Sequence, residues 1–240
     1  MQDPRQRLIV ALDVSSAAAA HRIVAAVGDS AFTYKVGMQL YTAEGPQVVR
    51  DLVSSGRRVF LDLKYHDIPS TVAAAVREAA GLGVSMLTVH AAGGGKMLRS
   101  AVAAAEQANP ATMVLGVTVL TSLDESDLDK VGVRGKVVDQ VLRLAALAVA
   151  DGCHGIVASA REAAALRSEL GQDFAIVTPG VRPAGTLLGD QVRVVTPAEA
   201  IAAGASHIVV GRPITEAQDP AAEAREILGQ ISLFELKAAR

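Results

Sequence analysis

Arg58-Val59-Phe60-Leu61-Asp62-Leu63-Lys64-Tyr65-His66-Asp67-Ile68-Pro69-Ser70-Thr71 begins as a run of strand-forming residues and ends in a charged loop stopped by proline. Alternate side chains of an extended chain share a face, so Phe60, Asp62 and Lys64 oppose Val59, Leu61 and Leu63. One face is apolar; the other turns charged toward its C-terminal end. The same parity recurs in LIVALDV (8–14), where Asp13 follows Ile9 and Ala11, and in TYKVGM (33–38), where Lys35 shares a face with Thr33 and Gly37.

Outward from that strand, the chain alternates β-branched runs with Ala-rich stretches of helical period. The runs are RLIVALDV (7–14), TYKVGM (33–38), RVFLDLK (58–64), MLTVHA (86–91), TMVLGVTVL (112–120), GIVAS (155–159), FAIVTPGV (174–181) and HIVVGRPI (207–214). A helical stretch follows each, the seventh being short, PAEAIAAG (197–204). Eight such units exceed what an open doubly wound sheet normally holds and predict an α/β fold, a single-domain (β/α)8 TIM barrel over residues 1–240. The charged strand positions then fall at the C-terminal mouth, where barrels build their sites.

Composition narrows the partners. Half of the residues are hydrophobic but only 3% aromatic, so the core is built from aliphatic side chains. A net charge of −2, with both signs mixed along the chain, provides no footprint for nucleic acid or an anionic membrane. Apolar stretches are interrupted by charge well short of a membrane span, and the N-terminal apolar run carries Asp13, so it reads as a strand and not as a signal peptide. Cys153 is the single cysteine, which precludes an internal disulfide and suits a cytoplasmic location. No base is identifiable for it, and it reads as a small buried hydrophobe.

Chemistry concentrates in the opening stretch. Asp62, Lys64 and Asp67 put three charges of alternating sign within six positions, and an ammonium flanked by two carboxylates is suited to donate a proton. Lys35 and Asp13 on neighbouring strands extend this into a chain in which each cation can meet an anion. Removing one partner from such a buried network costs on the order of 3–5 kcal/mol. A second cluster follows strands seven and eight, in VTPGVR (177–182) and VVGRPI (209–214). These two loops commonly form a barrel's phosphate site, with Pro179, Arg182, Gly211 and Arg212 as candidates. Between them RPAGTLLGDQ (182–191) lacks periodicity and is placed to close over a ligand. GGGK (93–96) lacks the P-loop spacing, no Cys/His cluster suggests a metal, and no cofactor signature is present. His90 reads as a structural, hydrogen-bonded residue.

DLKYHDIPST (62–71, read from Asp62 to Thr71) resembles the Asp-x-Lys-x-x-Asp-Ile-Pro-x-Thr signature of orotidine 5'-phosphate decarboxylases. ALDV, YKVGMQLY, TVHAAGG, GVTVLTS, VTPGVRP, GDQVRV and VVGRPIT occur in that family's order. The resemblance implies cofactor-free decarboxylation of orotidine 5'-phosphate to uridine 5'-phosphate in de novo pyrimidine biosynthesis. It implies that Asp62 lies against the substrate carboxylate, that Lys64 protonates C6, and that Lys35 bridges the ribose and Asp62. Asp13 would hold a ribose hydroxyl, Thr121 and Ser122 the pyrimidine edge, and Gln191 the phosphate and pyrimidine from the lid. It further implies a homodimer in which Asp67 and Thr71 are contributed across the interface. For Thr121 and Ser122, helix capping is the competing reading. Metal-dependent relatives on the same barrel reuse a similar Asp-x-Lys-x-x-Asp core; the Ile-Pro-x-Thr continuation and the Asp-Gln of the lid favour the pyrimidine enzyme.

Overall fold

The structure is a computed structural model and describes residues 3–183 and 195–238, with side chains through Leu233. Eight parallel strands run β1 (Leu8–Ala11), β2 (Thr33–Gly37), β3 (Arg58–Tyr65), β4 (Met86–His90), β5 (Met113–Val117), β6 (Gly155–Val157), β7 (Ala175–Thr178) and β8 (His207–Val210). They pair in sequence order, and β8 returns to β1 through Leu8↔Ile208, Ile9↔Val209 and Val10↔Val210, closing the barrel.

The helices are α1 (Ala17–Val27), α2 (Met38–Glu44), α3 (Gln47–Ser54), α4 (Pro69–Gly81), α5 (Gly95–Ala108), α6 (Glu125–Lys130), α7 (Val137–Ala150), α8 (Ala160–Leu170), α9 (Pro197–Ala202), α10 (Arg212–Thr215) and α11 (Pro220–Ala238). The second, fifth and eighth units therefore carry two helices each, where the repeat predicts one stretch. Local chemistry sets their starts. Ser16 and Ser159 cap α1 and α8 through their hydroxyls, Thr196 and Glu199 form a reciprocal capping box on α9, and Pro69 occupies the first turn of α4, where its missing N–H costs nothing.

Strand parity divides the core in two. Leu8, Val10, Val59, Leu61, Leu87 and Val89 point outward and pack beneath the helices, while Ile9, Ala11, Phe60, Met86, Leu115, Val177 and Val209 fill the barrel interior. The interior set stops short of the C-terminal mouth, so the charged residues above it have a solid apolar floor. Cys153 is buried, and burial pushes its thiol up to about 12, in keeping with a small hydrophobe and not a nucleophile. No helix among the described residues is long and apolar enough to cross a membrane.

Every strand except β3 is shorter than its sequence run. β1 ends at Ala11, two residues before Asp13, and β6 ends at Val157. β5 ends at Val117, leaving Thr121 and Ser122 in a turn four and five residues beyond it and not at the strand end as expected. Strand propensity in Thr118-Val119-Leu120 is overridden because the neighbouring pairing runs out: β6 opposes β5 only as far as Val117↔Val157.

Candidate active site

β3 does not keep the simple alternation that its sequence implies. Leu61 pairs with Leu87 but Tyr65 pairs with Val89, so four residue steps on β3 oppose two on β4. The surplus is taken up at Lys64, whose φ of 53° makes it the one non-glycine residue with positive φ among the described residues. That conformation is costly for a side chain with a Cβ, and bulges of this kind re-aim side chains beside functional sites. It is held by Thr88 on β4: the backbone N–H of Lys64 donates to Thr88 Oγ1 at 2.9 Å, and Thr88 Oγ1 donates to Asp62 Oδ1 at 3.0 Å. One buried hydroxyl thereby fixes both the kink and the neighbouring carboxylate.

Lys64 Nζ reaches both oxygens of Asp62, at 2.9 and 2.8 Å. Asp62 Oδ2 lies 3.9 Å from Lys35 Nζ, and Lys35 Nζ is 2.7 Å from Asp13 Oδ1. The result is a continuous line, Asp13–Lys35–Asp62–Lys64, drawn from the segment after β1 and from β2 and β3. Lys35 and Asp62 are 12% and 13% exposed and so weakly screened, whereas Asp13 is 60% exposed at the outer end, open to a ligand. Gly37 leaves room for this line, since a Cβ there would sit 3.0 Å from Lys35 Nζ.

The line forms one wall of a cavity of about 530 Å³. The rest of the lining includes Pro179, Gly180, Val181 and Arg182 after β7, and Gly211, Arg212 and Pro213 after β8, which adjoins β1 so that a Cβ on Gly211 would lie 3.7 Å from Asp13 Oδ2. Gly180 adopts φ 75°, which the turn after β7 requires of a residue without a Cβ. Phe60, Val157 and Val209 supply apolar surface, and Thr121 lies on the rim. Among the sequence candidates, Asp13, Lys35, Asp62, Lys64, Thr121, Pro179, Arg182, Gly211 and Arg212 therefore converge on one space. Gln191 lies outside the described residues.

Three candidates do not line it within the single chain. Asp67 is exposed, and its Oδ1 accepts from the N–H of Ile68 at 2.6 Å, so Lys64 is paired with Asp62 alone and is not flanked by two carboxylates as the residues suggest. Thr71 is exposed on the first turn of α4. Ser122 is exposed off the cavity wall, and neither it nor Thr121 caps a helix, because α6 starts on the Asp124–Asp127 capping box. His90 has a ring partner, His66, with centroids 5.3 Å apart, in place of the expected hydrogen-bonded one. Burial, with the neighbouring charges of His66 and Lys64, holds His90 below the ordinary histidine range.

Sequence reasoning missed Thr88 and Glu216. Parity turns Thr88 inward with Met86 and His90, but nothing in the sequence gives it a role; Glu216, on the cavity wall, carried no signal. Among the described residues no three His, Cys, Asp or Glu side chains are grouped as metal ligands.

A family model described as "Orotidine 5'-phosphate decarboxylase / HUMPS family" matches residues 6–227. The chain belongs to that family. Among its relatives, the orotidine 5'-phosphate decarboxylase of Halorhodospira halophila is 52% identical over 226 residues, covering 94% of this chain and 96% of the relative. That of Anaeromyxobacter dehalogenans is 54% identical over 224 residues, covering 93% and 97%. The crystal structure of the decarboxylase from Lactobacillus acidophilus superposes with a TM-score of 0.84 at 39% identity, covering 93% of this chain and 98% of that one. The (β/α)8 barrel read from the repeat is thus shared with a solved orotidine 5'-phosphate decarboxylase, and the family resemblance read from DLKYHDIPST extends over nearly the whole chain.

Proposed function

We propose that the chain is an orotidine 5'-phosphate decarboxylase, converting orotidine 5'-phosphate to uridine 5'-phosphate in de novo pyrimidine biosynthesis without metal or organic cofactor. The observation that carries the reading is the Asp13–Lys35–Asp62–Lys64 line lining a single cavity together with the loops after β7 and β8. A nucleotide fits that division of labour: an anchor for an anion in one part of the cavity, a charged reacting centre in another.

On this reading the phosphoryl group lies against Pro179, Gly180, Arg182, Gly211 and Arg212, and Gln191, outside the described residues, is a further phosphate and pyrimidine contact implied by the family resemblance. Backbone N–H groups and guanidinium forks suit a dianion. The ribose hydroxyls meet Asp13 and Lys35, and the pyrimidine edge meets Thr121 and Ser122. The orotate carboxylate then sits beside Asp62. Its bond to C6 breaks, the electron pair remains on C6, and the proton on Lys64 Nζ moves to that carbon as carbon dioxide leaves. No π-system receives the pair, so stabilisation is electrostatic: the Lys64 ammonium is already aimed at the position where negative charge develops. Reactions of this difficulty need rate enhancements approaching ~10¹⁷, about 23 kcal/mol. Binding energy from the remote phosphate, used to order the charged centre, is one source of it.

The working unit is a homodimer in which Asp67 and Thr71 of one subunit complete the other's site. Support lies in their exposure within the single chain and in the exposed apolar side chains of Ile68 and Met38 beside the same mouth. We place the enzyme in the cytoplasm, as one domain over residues 1–240. The test is an absorbance assay with orotidine 5'-phosphate, with and without chelator. Loss of the orotate chromophore at a rate indifferent to EDTA is expected. No turnover would refute the activity, and loss of turnover with EDTA would move the chain to the metal-dependent chemistry of similar barrels.

A further inference from the structure

His66 stands between two functional positions. Two residues before it is Lys64, held in its own chain's line of charge; immediately after it is Asp67, whose side chain caps the N–H of Ile68 and touches no cation of that line. Something must fix this short segment. The backbone is tied on the far side, where the Ile68 carbonyl accepts from the N–H groups of Thr71 and Val72, but side-chain bonds are few: Asp67 bonds only its neighbour's backbone, and Ile68 is 64% exposed. The His66 ring, however, lies on His90 at 5.3 Å between centroids, with the planes inclined by 38°. His90 is the last residue of β4, half-buried and tied to β5 by the pairing His90↔Val117. The turn after β4 approaches the same ring: a Cβ built at Gly93 would meet His66 Cδ2 at 3.3 Å and would collide with Met97, so glycine keeps that side open for the packing.

We infer that the His66–His90 ring pair is a positioning device that holds Asp67 in place for the site of a second subunit. The inference rests on the shared-site reading given above and deepens it. His66 links β4, a rigid barrel strand, to the loop that presents Asp67, while the Lys64 kink is fixed separately by Thr88. The two halves of the DLKYHDIP stretch are therefore anchored by different neighbours. Lys64 and Asp62 serve the subunit that carries them; His66 serves Asp67 and so the partner. The lowered affinity of His90 for a proton, caused first by burial, keeps one ring of the pair neutral and favours stacking over repulsion.

Subunit mixing tests this directly. His66→Ala is expected to lower kcat/KM roughly 10- to 100-fold, the loss that misplacing a reacting group by about 1 Å produces. His66→Phe, which keeps a ring on His90, is expected to recover most of it. Exchanged with Lys64→Ala subunits, His66→Ala subunits should regain up to about a quarter of wild-type activity, because each hybrid has one site with an intact Lys64 and a correctly held Asp67. The control is Asp62→Ala mixed with Asp67→Ala. If the control recovers activity but the His66→Ala mixture does not, His66 acts on its own Lys64 and the inference is wrong. Full activity of His66→Ala, or failure of His66→Phe to rescue it, also overturns it. If the control itself fails under demonstrated exchange, the shared-site reading falls and takes the inference with it. Thermal melting of each variant separates these results from unfolding.

Discussion

Lys64 is a strained residue with a strong electrostatic reason to stay where it is. Its φ of 53° costs on the order of 1–3 kcal/mol, and Thr88 and Asp62 supply the bonds that hold it. Lys64→Ala should leave the barrel folded, because the kink is fixed through the backbone, and should reduce decarboxylation to background. Substantial residual turnover alongside an unchanged circular dichroism melt would exclude Lys64 as the proton source. Thr88→Val conserves shape but removes the acceptor for Lys64 N–H and the donor to Asp62 Oδ1. We expect a stability loss of about 1–3 kcal/mol by chemical denaturation. The same change should lower kcat roughly 10- to 100-fold through the slackened Asp62–Lys64 geometry. Unaltered kinetics in this variant would show that Thr88 does not orient the pair.

At the scale of elements, the proposed function separates binding from reaction. β2, β3 and the segment after β1 carry the line of charge, and the loops after β7 and β8 line the same cavity as the proposed anion anchor. Parallel closure brings these sets together because β8 pairs with β1, so sequence-distant elements become neighbouring parts of one cavity wall. Arg212 opens the short α10 directly after Gly211 and lines the cavity. Arg212→Ala should weaken orotidine 5'-phosphate by roughly 10- to 100-fold in kcat/KM, as expected for a lost charge-assisted pair. Phosphate-free orotidine should be nearly unaffected. Equal losses for the two substrates would mean that Arg212 does not bind the phosphate. The eight-unit rhythm was legible before the structure because period-two and period-3.6 patterns report which face is buried. The doubled helices and the shortened β5 were not, because strand ends are decided by whether a neighbour offers hydrogen bonds.

On the scale of the whole molecule, a group at the opposite end of the barrel contributes to acid stability. His207 begins β8, its Nδ1 has no partner, and burial with the nearby charges of Arg7 and Arg58 lowers its affinity for a proton to a pKa of about 4. A depressed histidine value means that the unfolded chain binds the proton first as pH falls. Stability is therefore full above about 6.5 and declines toward about 4, by on the order of 3 kcal/mol from this group. His207→Gln should flatten the dependence of the denaturation midpoint on pH across that window. A slope identical to wild type would show that other groups dominate. Because His207 lies far along β8 from the mouth, activity at neutral pH should change little in the same variant.

The amino-acid order by itself determined the barrel, the family, and which residue types gather at its mouth, because alternation and repeat spacing are local properties written along each strand. Asp13, Lys35, Asp62 and Lys64 were legible for that reason: each breaks an apolar pattern on an inward face. Tertiary structure alone decided that Lys64 meets only Asp62 within its chain, that Thr88 holds both, and that Asp67 turns outward beside a His66–His90 pair. These facts arise from the two-residue slip between β3 and β4, and register between strands depends on contacts across the sheet that no single segment encodes.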